Sequence, residues 1–154
     1  MQAVEYLAQV KRLDALIDNK REEELELWAL ATSMTSKGDG MPHASGDTDK
    51  MTNIVQKIIN ARERTNAIVD QYIEAKQDVI AHIEMLPRKQ YEVLHWLYVK
   101  KRTKRERGQK PYYTWSEVAE NLGCSEESIR KTRRRAIKNL QIILDNEQRL
   151  LEVE

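Results

Sequence analysis

The chain has 154 residues, 33% of them charged and 40% hydrophobic, with five glycines and no phenylalanine. That length suits one domain, or a small domain with a helical appendage, and the bias toward Glu, Lys, Arg, Leu and Ile predicts an all-α fold with long exposed helix faces. No apolar run reaches transmembrane length, the N-terminal stretch lacks a signal-peptide layout, and the single Cys124 excludes an intrachain disulfide framework; a soluble cytoplasmic protein with no membrane partner is expected.

The formal net charge of +1 hides a segregation. Residues 1–85 carry 10 Lys/Arg against 15 Asp/Glu, residues 86–140 carry 15 against 6, and residues 141–154 carry 1 against 4. The surplus of nine cations in the middle segment is an electrostatic footprint for a polyanion, beyond what a solvated helix surface requires.

In the first third, Tyr6, Val10, Leu13, Ile17, Leu27, Ala31 and Met34 recur in alternating steps of three and four, with polar Lys20 and Glu24 in the same series. That spacing predicts a coiled-coil seam. Gly, Pro and small polar residues interrupt it at 36–47. A second seam follows through Met51, Val55, Ile58, Arg62, Thr65, Val69, Tyr72, Lys76, Val79, Ile83 and Leu86, with Asp47 or Thr48 as its cap. The two helices should fold into an antiparallel hairpin over 1–85, turning near Met41. Leu27 then faces Val55, and Lys20 and Glu24 meet Arg62 in one polar layer or at its edge. Ile54, Ile59, Ile68, Ile73 and Ile80 on the second helix, with Leu16, Leu25 and Leu30 on the first, exceed what one two-helix contact covers, which favours a homodimer through the hairpin.

Pro87 starts or breaks a helix over about 88–99 that buries Tyr91, Leu94 or His95, Leu97 and Tyr98. The basic stretch 100–113 follows, either tracking phosphates, entering a minor groove or serving as a disordered tether, with Tyr112 and Tyr113 packed on the module. In TWSEVAENLG, Thr114 and Glu117 form a capping box, and Gly123 supplies a left-handed helix end. Ser125 caps the next helix, and Cys124 is expected as a small apolar core residue. Val118, Ala119 and Leu122 can pack on Ile129, Thr132, Ala136 and Leu140. Helix, short Gly turn and helix make a helix-turn-helix whose second helix, 125–140, presents an Arg/Lys face.

LPRKQYEVLHWLY and TWSEVAENLGCSEESIRKTRRRAIKNL resemble the fourth region of sigma-70-family factors, which binds the −35 promoter element. The resemblance rests on Leu86-Pro87, Val93-Leu94, Leu97-Tyr98, Glu117 to Glu120, Leu122-Gly123, Ser125, Ile129, Arg130, Ala136 and Leu140. There is no counterpart of sigma region 2. With the hairpin and its linker, including Met41-Pro42 and Asp49-Lys50, nearly the whole chain is similar to small ArpU-like, sigma-region-4-like regulators of late transcription in phages and prophages of Gram-positive bacteria. The resemblance implies a transcriptional regulator in the bacterial host cytoplasm. It departs from the region-4 pattern at Glu126, Lys131 and Arg133, so the consensus −35 sequence does not carry over.

The expected organisation is thus a hairpin over 1–85, a helix-turn-helix domain over 86–145 with its insertion at 100–113, and an acidic tail over 146–154. Glu126, Glu127, Arg130, Lys131 and Arg133 are the expected base-reading residues. Thr114, Ser125, Arg134, Arg135, Lys138, Lys101, Arg102, Lys104 and Arg105 are the expected phosphate contacts. Catalysis, metal and cofactor are not expected: His43, His82 and His95 are scattered, and no Gly-rich phosphate loop is present. A small-terminase-like packaging protein and an adaptor for RNA polymerase are the competing readings.

Overall fold

A computed structural model describes residues 1–36 and 46–154. Among these it is all-helical: α1 is Ala3–Ser36, α2 is Gly46–Ile83, α3 is Arg88–Leu94, α4 is Trp115–Leu122 and α5 is Glu126–Val153. The turn near Met41 and the cap at Asp47 or Thr48 fall outside the described backbone or side chains. The chain divides into two compact units, Arg12–Tyr72 and Met1–Lys11 with Ile73–Glu154. The second unit joins the first eleven residues and the end of α2 to the C-terminal module, so it extends across the boundary at 85/86 drawn from composition.

In the unit Arg12–Tyr72, α1 and α2 pack through Leu27, Ala31 and Met34 against Ile54 and Ile58. The α1 seam matches its spacing from Ile17 onward, whereas nearer the start Leu7 and Asp14, rather than Tyr6 and Leu13, take the buried positions. On α2 the inward stripe is displaced by one residue near its start. Ile54 is buried while Val55 is 45% exposed, so Val55 does not face Leu27, and Ile54 belongs to the core rather than the surplus. Adjacent Ile54 and Val55 are both β-branched apolar residues, and periodicity alone does not choose between neighbours only 100° apart on a helix. Arg62 Nε does meet Glu24 Oε1 at 3.2 Å, but Arg62 is 60% exposed and its partner 16%, a pair at the seam's edge. Lys20 bonds Glu23 at 3.0 Å instead. The buried polar residue on α2 is Thr65, whose hydroxyl donates to the Ala61 carbonyl at 2.9 Å and is thereby satisfied inside its own helix.

In the other unit, α3 begins after Pro87 in an extended conformation and runs into a π-helical turn, His95–Val99, closed by Lys100 N–H to the His95 carbonyl at 2.8 Å. Val93 and Leu94 are buried before the turn and Tyr91 is half-buried; the wider turn then rotates the following side chains, so Leu97 and Val99 are buried and Tyr98 is half-buried. Val93 and Leu97 share a core with Val118, Ala119 and Ile129, against which Trp96, Tyr98, Tyr113 and Leu122 pack. Ala136 and Leu140 are also fully buried on α5.

Thr114 and Glu117 form the complete capping box at the start of α4. Gly123 ends α4 at φ 67°, ψ 33°, and Ser125 accepts from the Ser128 N–H at 3.1 Å to start α5. Cys124, in the turn after the left-handed glycine, is exposed and is not a core residue: its backbone N–H reaches back to the Ala119 carbonyl while its side chain faces solvent. A Cβ at Gly123 would meet nothing within 4 Å, so Gly123→Ala tests the backbone conformation alone. The expected cost is about 1–2 kcal/mol, read as a lowered urea midpoint at unchanged slope.

Three helices meet at Tyr6, His82 and Glu147. His82 Nε2 lies 2.6 Å from Glu147 Oε2, and His82 Nδ1 lies 2.6 Å from the Tyr6 hydroxyl and 2.8 Å from the Asp78 carbonyl. Burial disfavours the imidazolium, but the bond to Glu147, the Asp78 carbonyl and both nearby carboxylates outweigh it and raise the His82 pKa. Burial also raises the Tyr6 hydroxyl, helped by Asp78 and Glu147. A folded pKa above the unfolded value of about 6.5 stabilises most below that pH, and the gain fades as pH rises through the folded value. His95 runs the other way: burial first, then Lys100 and Lys76, lower its pKa. The wild type should therefore be compared with His82→Gln by urea unfolding at pH 5.5 and 8.5, which cancels the His95 contribution; the variant is expected to lose more stability at the lower pH.

Candidate nucleic-acid interface

The first four turns of α5 carry the cationic face. Glu126, Glu127, Arg130, Lys131, Arg134, Arg135 and Lys138 are all exposed. Residues 127, 131, 134 and 138 recur in steps of four, three and four and so share one stripe, with Arg130 beside it. Glu127 and Lys131 approach to 3.4 Å, one turn apart, which restrains both side chains beside the exposed guanidiniums of Arg130, Arg134 and Arg135. Glu126 and Glu127 stand in the first turn, where the helix dipole favours carboxylates.

Arg133 is placed differently. It is half-buried, its Nε donates to the Tyr98 hydroxyl at 2.8 Å, and its guanidinium carbon lies 5.4 Å from the centre of the Trp115 ring. Arg133 therefore ties α5 to the π-helical turn and to α4, and does not stand in the exposed stripe.

Thr114 and Ser125 are exposed, but both side-chain oxygens cap helices. Their hydroxyls are held at the N-termini of α4 and α5, accepting from the Glu117 and Ser128 N–H groups.

The segment 100–113 is a closed loop. Lys101 and Tyr112 form an isolated antiparallel bridge, and the Arg102 N–H donates to the Pro111 carbonyl at 2.8 Å. At its tip, Gln109 N–H bonds the Glu106 carbonyl at 3.0 Å, and Gly108 takes φ 85°. Tyr113 packs edge-on against Trp96 with ring centres 4.8 Å apart. Arg102 is committed within this arrangement: its side chain is 10% exposed, pairs with Glu117, donates to the Lys110 carbonyl at 2.9 Å and lies over the Tyr113 ring at 4.5 Å. That pairing, and the bonds from Thr114, hold the Glu117 carboxyl below its usual range. Arg102 is thus a clamp on the capping box. Lys104 and Arg105 are exposed on the loop, and Lys101 is half-buried at its base.

Trp115, Val4 and Lys11 were not singled out by the sequence patterns, yet they flank this face. Trp115, Val4, Ile137, Arg130, Arg133 and Arg134 line a cleft of about 420 Å³. The Lys11 ammonium lies 4.7 Å from the Tyr112 ring centre, and burial lowers its pKa. Trp115 was visible as the first residue after the Thr114 cap. Val4 and Lys11 were not recoverable, because their distance in sequence from α5 gives no periodic signal.

Among the described residues, no His, Cys, Asp or Glu cluster could hold a metal ion, and no helix is long and apolar enough to cross a membrane. Comparison with family models, curated proteins and solved structures found no match.

Proposed function

We propose that the chain is a sequence-specific, double-stranded DNA-binding regulator of transcription, most simply of phage late genes, acting in the bacterial cytoplasm. In this reading α4, the Gly123 turn and α5 act as a helix-turn-helix that is similar to sigma region 4, with 125–140 in the major groove. The observation that carries it is the exposed face of Arg130, Lys131, Arg134, Arg135 and Lys138 on a helix whose start is fixed by the Ser125 cap, the left-handed Gly123 before it and a buried Ile129. A merely solvated charged face needs no such rigid presentation. The geometry favours Arg130 and Lys131, with Glu126 and Glu127, as base readers, and Arg134, Arg135, Lys138, Lys104 and Arg105 as phosphate contacts. Arg133 and Arg102 act behind them as positioning residues.

The test is binding of the full chain to DNA from its own genome, by footprinting and then by salt titration of the protected site. A protected site with a steep salt dependence is expected. Arg134→Ala or Lys138→Ala should weaken specific and random DNA alike and flatten the log–log salt slope by about one unit each. Replacing Lys104 and Arg105 with Ser should do the same while leaving the Arg102 clamp intact. An unchanged slope in all of these variants would remove the phosphate assignments.

A further inference from the structure

α5 carries two complementary surfaces that one chain cannot bring together. Three guanidiniums and three apolar side chains, with no carboxylate among them, line the cleft formed by Val4, Trp115, Ile137, Arg130, Arg133 and Arg134. The far end of the same helix is opposite in character. Leu150, Leu151 and Val153 are 70%, 74% and 86% exposed, and residues 141–154 carry four carboxylates against the single Arg149. Large apolar side chains clustered in water at one helix end ask for a partner, and the acids beside them select a cationic one. Leu150 lies about 24 Å along the helix axis from Arg134, so this continuous helix cannot fold its own end into the cleft.

We propose that the last two turns of α5 from a second copy dock in this cleft. Leu150 and Val153 meet Val4, Trp115 and Ile137, while Glu152 and Glu154 meet Arg130 and Arg134. Desolvation by the apolar side chains strengthens the guanidinium–carboxylate pairs, which would otherwise be worth little at an exposed site. The contact is heterologous: each copy offers one tail and one cleft. Its regulatory consequence rests on the DNA-binding reading, since a docked tail covers Arg130 and Arg134 and excludes DNA from them. The docking itself does not depend on that reading.

Sedimentation of the full chain over a concentration series tests it. The expected result for the wild type is a concentration-dependent association step that weakens at high salt. A tail variant (Leu150→Ser, Leu151→Ser, Val153→Ser) and a cleft variant (Arg130→Glu, Arg134→Glu) should each lose that step. Mixed in equal amounts they should regain the salt-sensitive step, because one protein keeps its cleft and the other its tail. Any assembly through another surface would persist in both variants alone. Survival of the salt-sensitive step itself in the tail variant, or a mixture that fails to regain it, overturns the proposal. The tail variant, changed only at residues far along α5 from the DNA-reading set, should lose the step yet leave the DNA affinity of dilute protein unchanged. Absence of DNA binding in every protein, with the sedimentation pattern intact, would instead overturn the DNA reading.

Discussion

Arg130→Ala is expected to weaken binding to the specific site by about 1–3 kcal/mol and to relax preference at one base-pair position, while random DNA is bound nearly as before. Arg130 is exposed in the second turn of α5, next to Lys131 and Arg134 and beside the Trp115 cleft. A planar guanidinium there can make two parallel bonds to a guanine edge, and truncation removes both without touching the core. The turn that aims it is independently anchored by Ile129 and by the Ser125 cap, so the change should not move its neighbours. Competition binding against single-base variants of the footprinted site measures the effect. Equal losses on specific and random sequences would make Arg130 a phosphate contact instead. Arg133→Ala should behave differently: loss of its bond to Tyr98 and of its place beside Trp115 would lower the melting temperature as well as affinity.

What the sequence disclosed and what it withheld follow from range. Caps and turns act over three to five residues, so Thr114, Glu117, Gly123 and Ser125 were all legible, and the structure has each in the expected geometry. Burial of Val118, Ala119, Ile129, Ala136 and Leu140 followed from helical spacing. Phase was less secure where apolar residues are adjacent, as at Ile54 and Val55, and the π-helical turn at His95–Val99 inserts a residue that no spacing rule announces. Arg102 shows a different limit. In a run of seven cations among 100–110 it looks like its neighbours, and only the long-range partner Glu117 distinguishes it. Cys124 follows a C-terminal glycine, a position whose spacing suits an inward apolar residue, whereas the left-handed turn sends it outward.

Replacing both Ile59 and Ile73 with Glu is expected to abolish self-association through the long helices and to cut affinity for a two-part site by about 10²- to 10⁴-fold. Both isoleucines are exposed on α2, as are Leu16, Leu25, Trp28, Leu30 and Val55 on their respective helices. In the unit Arg12–Tyr72, Trp28, Val55, Ile58 and Ile59 also line an open cleft of about 380 Å³ rimmed by Arg62 and Glu63. Trp28, Val55 and Ile59 at this cleft form a local apolar patch, and such patches mark association surfaces. The link to DNA is arithmetic. One recognition helix reads only a few base pairs and binds weakly at cellular salt, whereas two linked modules turn the second binding event into an intramolecular one. The footprint should accordingly show half-sites about 10 base pairs apart or a multiple of that. Because both residues are solvent-exposed, the variant should keep its helical content and its affinity for a single half-site; that pairing of results separates lost assembly from lost folding. A wild-type chain that sediments as a monomer at micromolar concentration would refute the dimer, and a large closed ring would favour the packaging reading over transcription.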